Sequence, residues 1–172
     1  LLWVLDKTST AMGGRKLKRW LREPLNNPKE INLRLDAVET FVNDPMLLND
    51  ARESLKQIYD FERLAGRVAS GNANGRDMIA LRNSISVIPE IKSLLACRDD
   101  ELLLKLNSGI SELSEVYEEI NSAIVEDPPY TVKEGGLITS GFSDELDRLK
   151  ASIKDAKQWI AELEQKEKER TR

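Results

Sequence analysis

The stretch Ser143-Asp144-Glu145-Leu146-Asp147-Arg148-Leu149-Lys150-Ala151-Ser152-Ile153-Lys154-Asp155-Ala156-Lys157-Gln158-Trp159-Ile160-Ala161-Glu162-Leu163-Glu164-Gln165 decides the fold class. Its apolar residues Leu146, Leu149, Ile153, Ala156, Ile160 and Leu163 recur at steps of three, four, three, four and three. Those steps place all six on one seam of a helix of the coiled-coil kind, held over about two and a half heptads. Ser143 supplies an N-cap hydroxyl. At 1.5 Å rise per residue such a helix reaches roughly 40 Å. A rod of that length must lay its apolar edge on something, because propensity alone stabilises a helix weakly in water.

Upstream, the same period persists. Thr8-Ser9-Thr10 offers cap hydroxyls for a helix from about Ala11 to Arg22, which Pro24 stops. Asn27-Pro28-Lys29-Glu30 places a cap residue, a first-turn proline and a carboxylate in order, and Ile31, Leu35, Val38 and Val42 follow as one apolar stripe. Asp44-Pro45 repeats that start, with Leu48, Ala51, Leu55 and Ile58 behind it. Short Arg-rich turns are expected from Asp60 to Ser70, then a Gly/Asn loop over Gly71–Gly75. A helix from about Arg76 to Leu95 should kink or break at Pro89. Leu103, Leu106, Ile110, Leu113, Tyr117, Ile120 and Ile124 predict one long helix between Asp99 and Ile124, ended by Asp127-Pro128-Pro129. Thr131-Val132-Lys133, a Glu-Gly-Gly turn and Leu137-Ile138-Thr139 predict the sole β feature, a small hairpin near 131–139. The expected architecture is all-α: a multi-helix core over 1–142 with that one hairpin, and a long C-terminal helix over 143–172.

Composition narrows function. The 172 residues, 40% hydrophobic and 33% charged, suffice for one core and exclude a disordered tail. No apolar run is long enough to span a bilayer, and no secretory leader is seen, so a cytoplasmic protein with no membrane partner is expected. Cys97 is the only cysteine, which fits a reducing compartment and a small buried hydrophobe. The net charge of −4 suits a stand-alone nucleic-acid binder poorly. Histidine is absent, removing the commonest general base and metal ligand. There is no phosphate loop, and neither Met12-Gly13-Gly14-Arg15 nor Gly135-Gly136 has the spacing of a dinucleotide fingerprint. No catalytic, cofactor-binding or metal residue is assigned.

One basic run stands out: Arg15, Lys16, Lys18, Arg19 and Arg22. These are the weak DNA-binding candidates. On charge grounds they read better as a surface face around buried Leu17, Trp20 and Leu21, or as salt-bridge partners for another part of a larger protein. Arg15 and Arg19 lie one turn apart and repel unless acids stand nearby.

The chain opens inside an apolar run, Leu1-Leu2-Trp3, and closes on Glu167-Lys168-Glu169-Arg170-Thr171-Arg172, so an excised piece of something larger is expected. Leu1 to Arg15, with Leu17, Arg19-Trp20-Leu21, Pro24-Leu25, Ile31, Arg34 and Val38, resembles the entry into the core domain of the MutS family of DNA mismatch-repair proteins. Tyr59-Asp60-Phe61-Glu62-Arg63-Leu64 is similar to that family's D-[LI]-E-R-L element, with Phe61 as a variant. Asp127-Pro128-Pro129, Glu134-Gly135-Gly136-Leu137-Ile138, Gly141-Phe142 and Glu145-Leu146-Asp147 resemble the segment before its DNA-embracing clamp. The match covers nearly the whole chain, and the Met-Gly-Gly-Arg entry looks like the bacterial mismatch-correcting type.

The resemblance implies a multidomain parent, homodimeric, that holds mismatched double-stranded DNA and carries ATP and Mg in a C-terminal ATPase outside this segment. The partners it implies are the parent's other domains. It implies that 143–172 is the outgoing helix toward the absent clamp and that Leu146–Leu163 is a lever seam coupling nucleotide state to clamp position. A free-standing helical interaction module, whose exposed seam binds a partner helix, is the alternative from the same periodicities. A DNA-binding fragment using the Arg15–Arg22 face is a third.

Overall fold

The computed structural model describes residues 2–96 and 99–170. The reading of Cys97 falls outside the described residues. The elements are helical: α1 Leu2–Leu5, α2 Ala11–Arg22, α3 Pro28–Asn43, α4 Pro45–Lys56, α5 Phe61–Ala69, α6 Gly75–Ser86, α7 Ile88–Ala96, α8 Glu101–Gly109, α9 Ser114–Ala123 and α10 Asp144–Arg170, with a 3-10 turn over Val132–Glu134. Caps explain most starts. Thr10 Oγ1 accepts from Gly13 N at 2.9 Å, Asp44 Oδ1 from Leu47 N at 2.9 Å, and Asn74 with Asp77 closes a reciprocal capping box at 2.9 Å each way. Asn27 and Asp44 each precede a first-turn proline.

Two packed groups make the body. In the first, α3 packs on α4 and α8, α4 on α7, and α7 on α8, a ring of four helices. Ala37, Leu47 and Leu103 are its buried members on α3, α4 and α8. The Ser54 hydroxyl of α4, wholly buried, donates to Glu90 of α7 at 2.7 Å. In the second group α6 packs on α5 and α9, and Leu64, Leu81, Ile85, Ile88 and Ile120 form the core cluster. Ser84 joins the connection before α5 to α6 by accepting from Tyr59 N at 3.0 Å.

Four expectations are corrected. The hairpin near 131–139 is not formed, and no strand is present among the described residues. Glu134 Oε1 instead accepts from Thr131 N at 3.0 Å and Oγ1 at 2.8 Å, closing the 3-10 turn and taking the donors a hairpin ladder would use. Leu137–Thr139 then bonds elsewhere: Val125 N donates to Leu137 O at 3.1 Å and Thr139 N to Ala123 O at 2.9 Å, around an isolated Ile124–Ile138 bridge.

The single helix from Asp99 to Ile124 is two helices. α8 ends at Gly109, Ile110 is extended, and Leu113 takes φ 53°, so the chain turns between them. One straight rod cannot serve both groups, because α8 belongs to the ring and α9 to the α6 core; Ile110 leaves the helix and packs against that core. The residues after Asp60 form α5 rather than short turns, with Asp60 Oδ1 capping Arg63 N at 3.3 Å. Finally, Trp20 and Leu21 on α2 are not buried: each is 39% exposed, and α2 buries no residue. The expected break near Pro89 is present, with α6 and α7 separated at Val87. A proline there offers no N–H and its ring opposes the carbonyl four residues back.

The accessible surface is 12920 Å². A compact chain of 19.5 kDa shows about 8,500 Å² by the usual size scaling. About half as much again is open, and exposed apolar side chains on α1, α3 and α10 contribute to it.

Candidate functional site

Beyond Lys150 every residue of α10 to Arg170 is exposed. Of the seam, Leu146 is half-buried at the base. Leu149, Ile153, Ile160 and Leu163 are 56%, 57%, 58% and 44% exposed, and Ala156 is open too. Beyond Leu146 these residues share a helix with no cover from the other described residues. A second uncovered face lies on α3, where Ile31, Leu35, Val38 and Val42 point outward while Ala37 turns into the ring. Of those two stripes, periodicity alone marks both as seeking cover.

The base of α10 is fastened by polar contacts. Gly141 N donates to Asp147 Oδ2 at 2.6 Å, and Lys150 Nζ donates to Ile138 O at 3.1 Å. Gly141 has φ +89°, a left-handed backbone that side-chain-bearing residues rarely adopt, which aims its N–H back at the first turn of α10. The strap Leu137–Thr139 that receives Lys150 is bonded in turn to Ala123–Val125 at the end of α9. It also presses on the start of α6: a Cβ at Gly75 would meet Leu137 and stand 2.6 Å from Pro128. From there Arg82 completes the connection. Its guanidinium grips Glu126 through both Nη atoms, at 2.7 and 2.8 Å, and also donates to Asn121 and Asn83. Arg82 is only 7% exposed whereas the Glu126 side chain is 78% exposed. The paired hydrogen bonds hold the Glu126 carboxyl below its ordinary range and raise the arginine.

Arg82, Asp147, Lys150 and Gly75 carry this chain of contacts, and spacing rules pass over them. Arg82 sits between Leu81 and Ile85 in a helix with a capping box, so an arginine on a core-facing helix was the available signal.

The basic run divides. Arg15 leaves it to meet acids on the other family motif: Nη1 and Nη2 each donate to Asp60 at 2.8 Å, and Nε donates to Glu62 at 3.0 Å. The Arg15 hydrogen bonds bring the Asp60 carboxyl down to about 2, with the Arg63 backbone N–H adding to the effect. Arg19 pairs with Glu23 at 2.9 Å, so the repulsion expected between Arg15 and Arg19 is relieved by separate acids. Lys16 stands 6.0 Å from the Trp20 ring, whose other neighbour is Arg34 of α3 at 3.9 Å. Lys18 and Arg22 remain exposed. Two of the five cations, Arg15 and Arg19, are thus paired with carboxylates.

Among the described residues no group of three or more His, Cys, Asp or Glu could hold a metal ion, and no helix is long and apolar enough to cross a membrane. The described residues form a helical domain with open apolar faces and buried polar ties such as Ser54 and Arg82. The chain belongs to the MutS domain III family, whose model matches residues 1–171. It is 48% identical over 171 residues to a DNA mismatch repair protein MutS of Alkaliphilus oremlandii, covering 99% of this chain and 19% of that protein. Proteins of the same name from Acetivibrio thermocellus and Brevibacillus brevis are 49% and 44% identical, each over 99% of this chain and 20% of the relative. The chain therefore spans about a fifth of the length of these relatives.

Proposed function

We propose that this domain is a mechanical coupler in a MutS-type DNA mismatch-repair protein, with α10 as the lever that leads toward a clamp around mismatched DNA. The whole protein would be a homodimer that binds ATP and Mg in another domain, and this domain would relay nucleotide state at one end to clamp position at the other. The observation that carries the reading is the contrast along α10: a base tied through Asp147 and Lys150 to the 138–141 connection, which bonds in turn to the end of α9, and an apolar edge uncovered for about four turns beyond it.

That arrangement suits transmission. A helix resists stretching because its hydrogen bonds lie along the axis, so a push at the far end arrives at the base. There it reaches the Leu137–Thr139 strap, the end of α9 and, through Glu126 and Arg82, α6. Packed helices shift between discrete arrangements rather than deforming continuously, which lets such a push act as a switch. No reacting group is needed.

The test uses the full-length repair protein with Ile153→Lys and Ile160→Lys together. Mismatch-stimulated nucleotide exchange and clamp closure are expected to lose their dependence on each other, while basal ATP hydrolysis persists. Normal coupling in that double variant would remove α10 from the role.

A further inference from the structure

α2 differs from every helix of the body in how it is held. It buries none of its side chains, and Trp20 and Leu21 are part-exposed. Its fastenings to other helices run through cations: Arg15 of α2 onto Asp60 and Glu62 at the start of α5, and Arg34 of α3 over the Trp20 ring of α2. The Arg15 side chain is 48% exposed, Glu62 72% and Asp60 23%, and Arg34 is half-exposed. Body helices are held the opposite way, by residues such as Ile85 and Leu47 that are 2% exposed.

We propose that α2 is a latched arm: the Arg15 fork on Asp60 and Glu62 holds it against α5, and the arm can leave while the α3–α9 body stays folded. Three physical points support this. Exposed ion pairs are screened, the Debye length falling from about 10 Å at 0.1 M salt to about 3 Å at 1 M, whereas apolar burial is not. One planar guanidinium bridging two acids concentrates the ion-pair hold on α2 in one residue, which lysine cannot reproduce because it lacks the fork. A free helix of twelve residues is marginal in water, so release amounts to melting. The latch also joins the Met12-Gly13-Gly14-Arg15 entry to the Asp60–Leu64 motif, two stretches that sequence analysis singles out separately. It goes beyond the lever reading, since it concerns the opposite end of the chain and holds whether or not α10 transmits force.

Amide hydrogen exchange on this chain tests it, comparing amides of Arg15–Arg22 with those of α6 at about 0.05 M and about 1 M NaCl. In the unaltered chain the α2 amides are expected to exchange about two- to fivefold faster at high salt, with α6 flat. Arg15→Gln should show that faster α2 exchange already at low salt and lose most of the salt response; Arg15→Lys should fall between. Salt-insensitive α2 exchange in the unaltered chain would overturn the latch, as would full α2 protection in Arg15→Gln. So would loss of α2 and α6 protection together, or failure of Arg15→Gln to fold, because either makes α2 part of the cooperative body.

Discussion

α9 and α10 carry apolar residues at the same steps of three and four, and their fates are opposite. Tyr117, Ile120 and Ile124 of the α9 region pack into the α6 core, while Leu149, Ile153, Ile160 and Leu163 of α10 face water. The difference is not in the pattern. α9 lies against α6 because the chain turns at Leu113 and again at the Leu137–Thr139 strap, whereas α10 leaves the strap with only its base attached. An amphipathic period shows that a face requires cover, and the connections on either side determine whether that cover comes from the same chain.

The sharpest way to break this comparison is to shorten one isoleucine in each region. Ile85→Ala empties a site that is 2% exposed and should cost about 2–5 kcal/mol in denaturant unfolding. Ile153→Ala removes the same atoms from a side chain that is already 57% exposed, and should fall within about 0.5 kcal/mol of the parent. Equal losses would mean that α10 is buried in solution. A smaller effect is expected at the joint between the regions. Gly75→Ala improves helix propensity by up to about 1 kcal/mol, yet its methyl meets the Pro128 ring and Leu137, and overpacking typically costs about 1–3 kcal/mol. The net should be a lower melting temperature; a gain would show that the strap yields freely.

Smallest is the acid response of the α2 latch. Asp60 ionises at about 2 in the folded chain against an ordinary 3.8. A depressed carboxyl stabilises the fold fully above its ordinary value and loses that contribution as pH falls through about 4 toward about 2. Between pH 5 and 8 the latch should therefore be flat, and carboxyl NMR should place the Asp60 midpoint near 2. A midpoint at the ordinary value would dissolve the Arg15 fork.

The helical class, the caps at Thr10, Asn27 and Asp44, the break near Pro89, the long helix α10 and the family were legible in the residues, because each depends on neighbours within one turn or on short motifs in order. The failures share a cause. The residues from Thr131 to Thr139 had the composition of a hairpin, but Glu134 bonded back to Thr131 while Leu137–Thr139 found the end of α9. Leu103 to Ile124 kept perfect period across a bend, since Ile110 served the core from an extended backbone. Arg15 read as one of five cations until Asp60 and Glu62, more than forty residues away, were brought beside it.

By itself the sequence determined which faces are apolar, where helices start and which family the chain joins, because those are properties of local spacing and residue order. Tertiary structure alone decided which faces are covered, that Arg82 and Glu126 clasp, and that Arg15 leaves the basic run for α5. Those outcomes depend on which distant segments the folded chain brings within a few ångströms, and no period in one dimension encodes that distance.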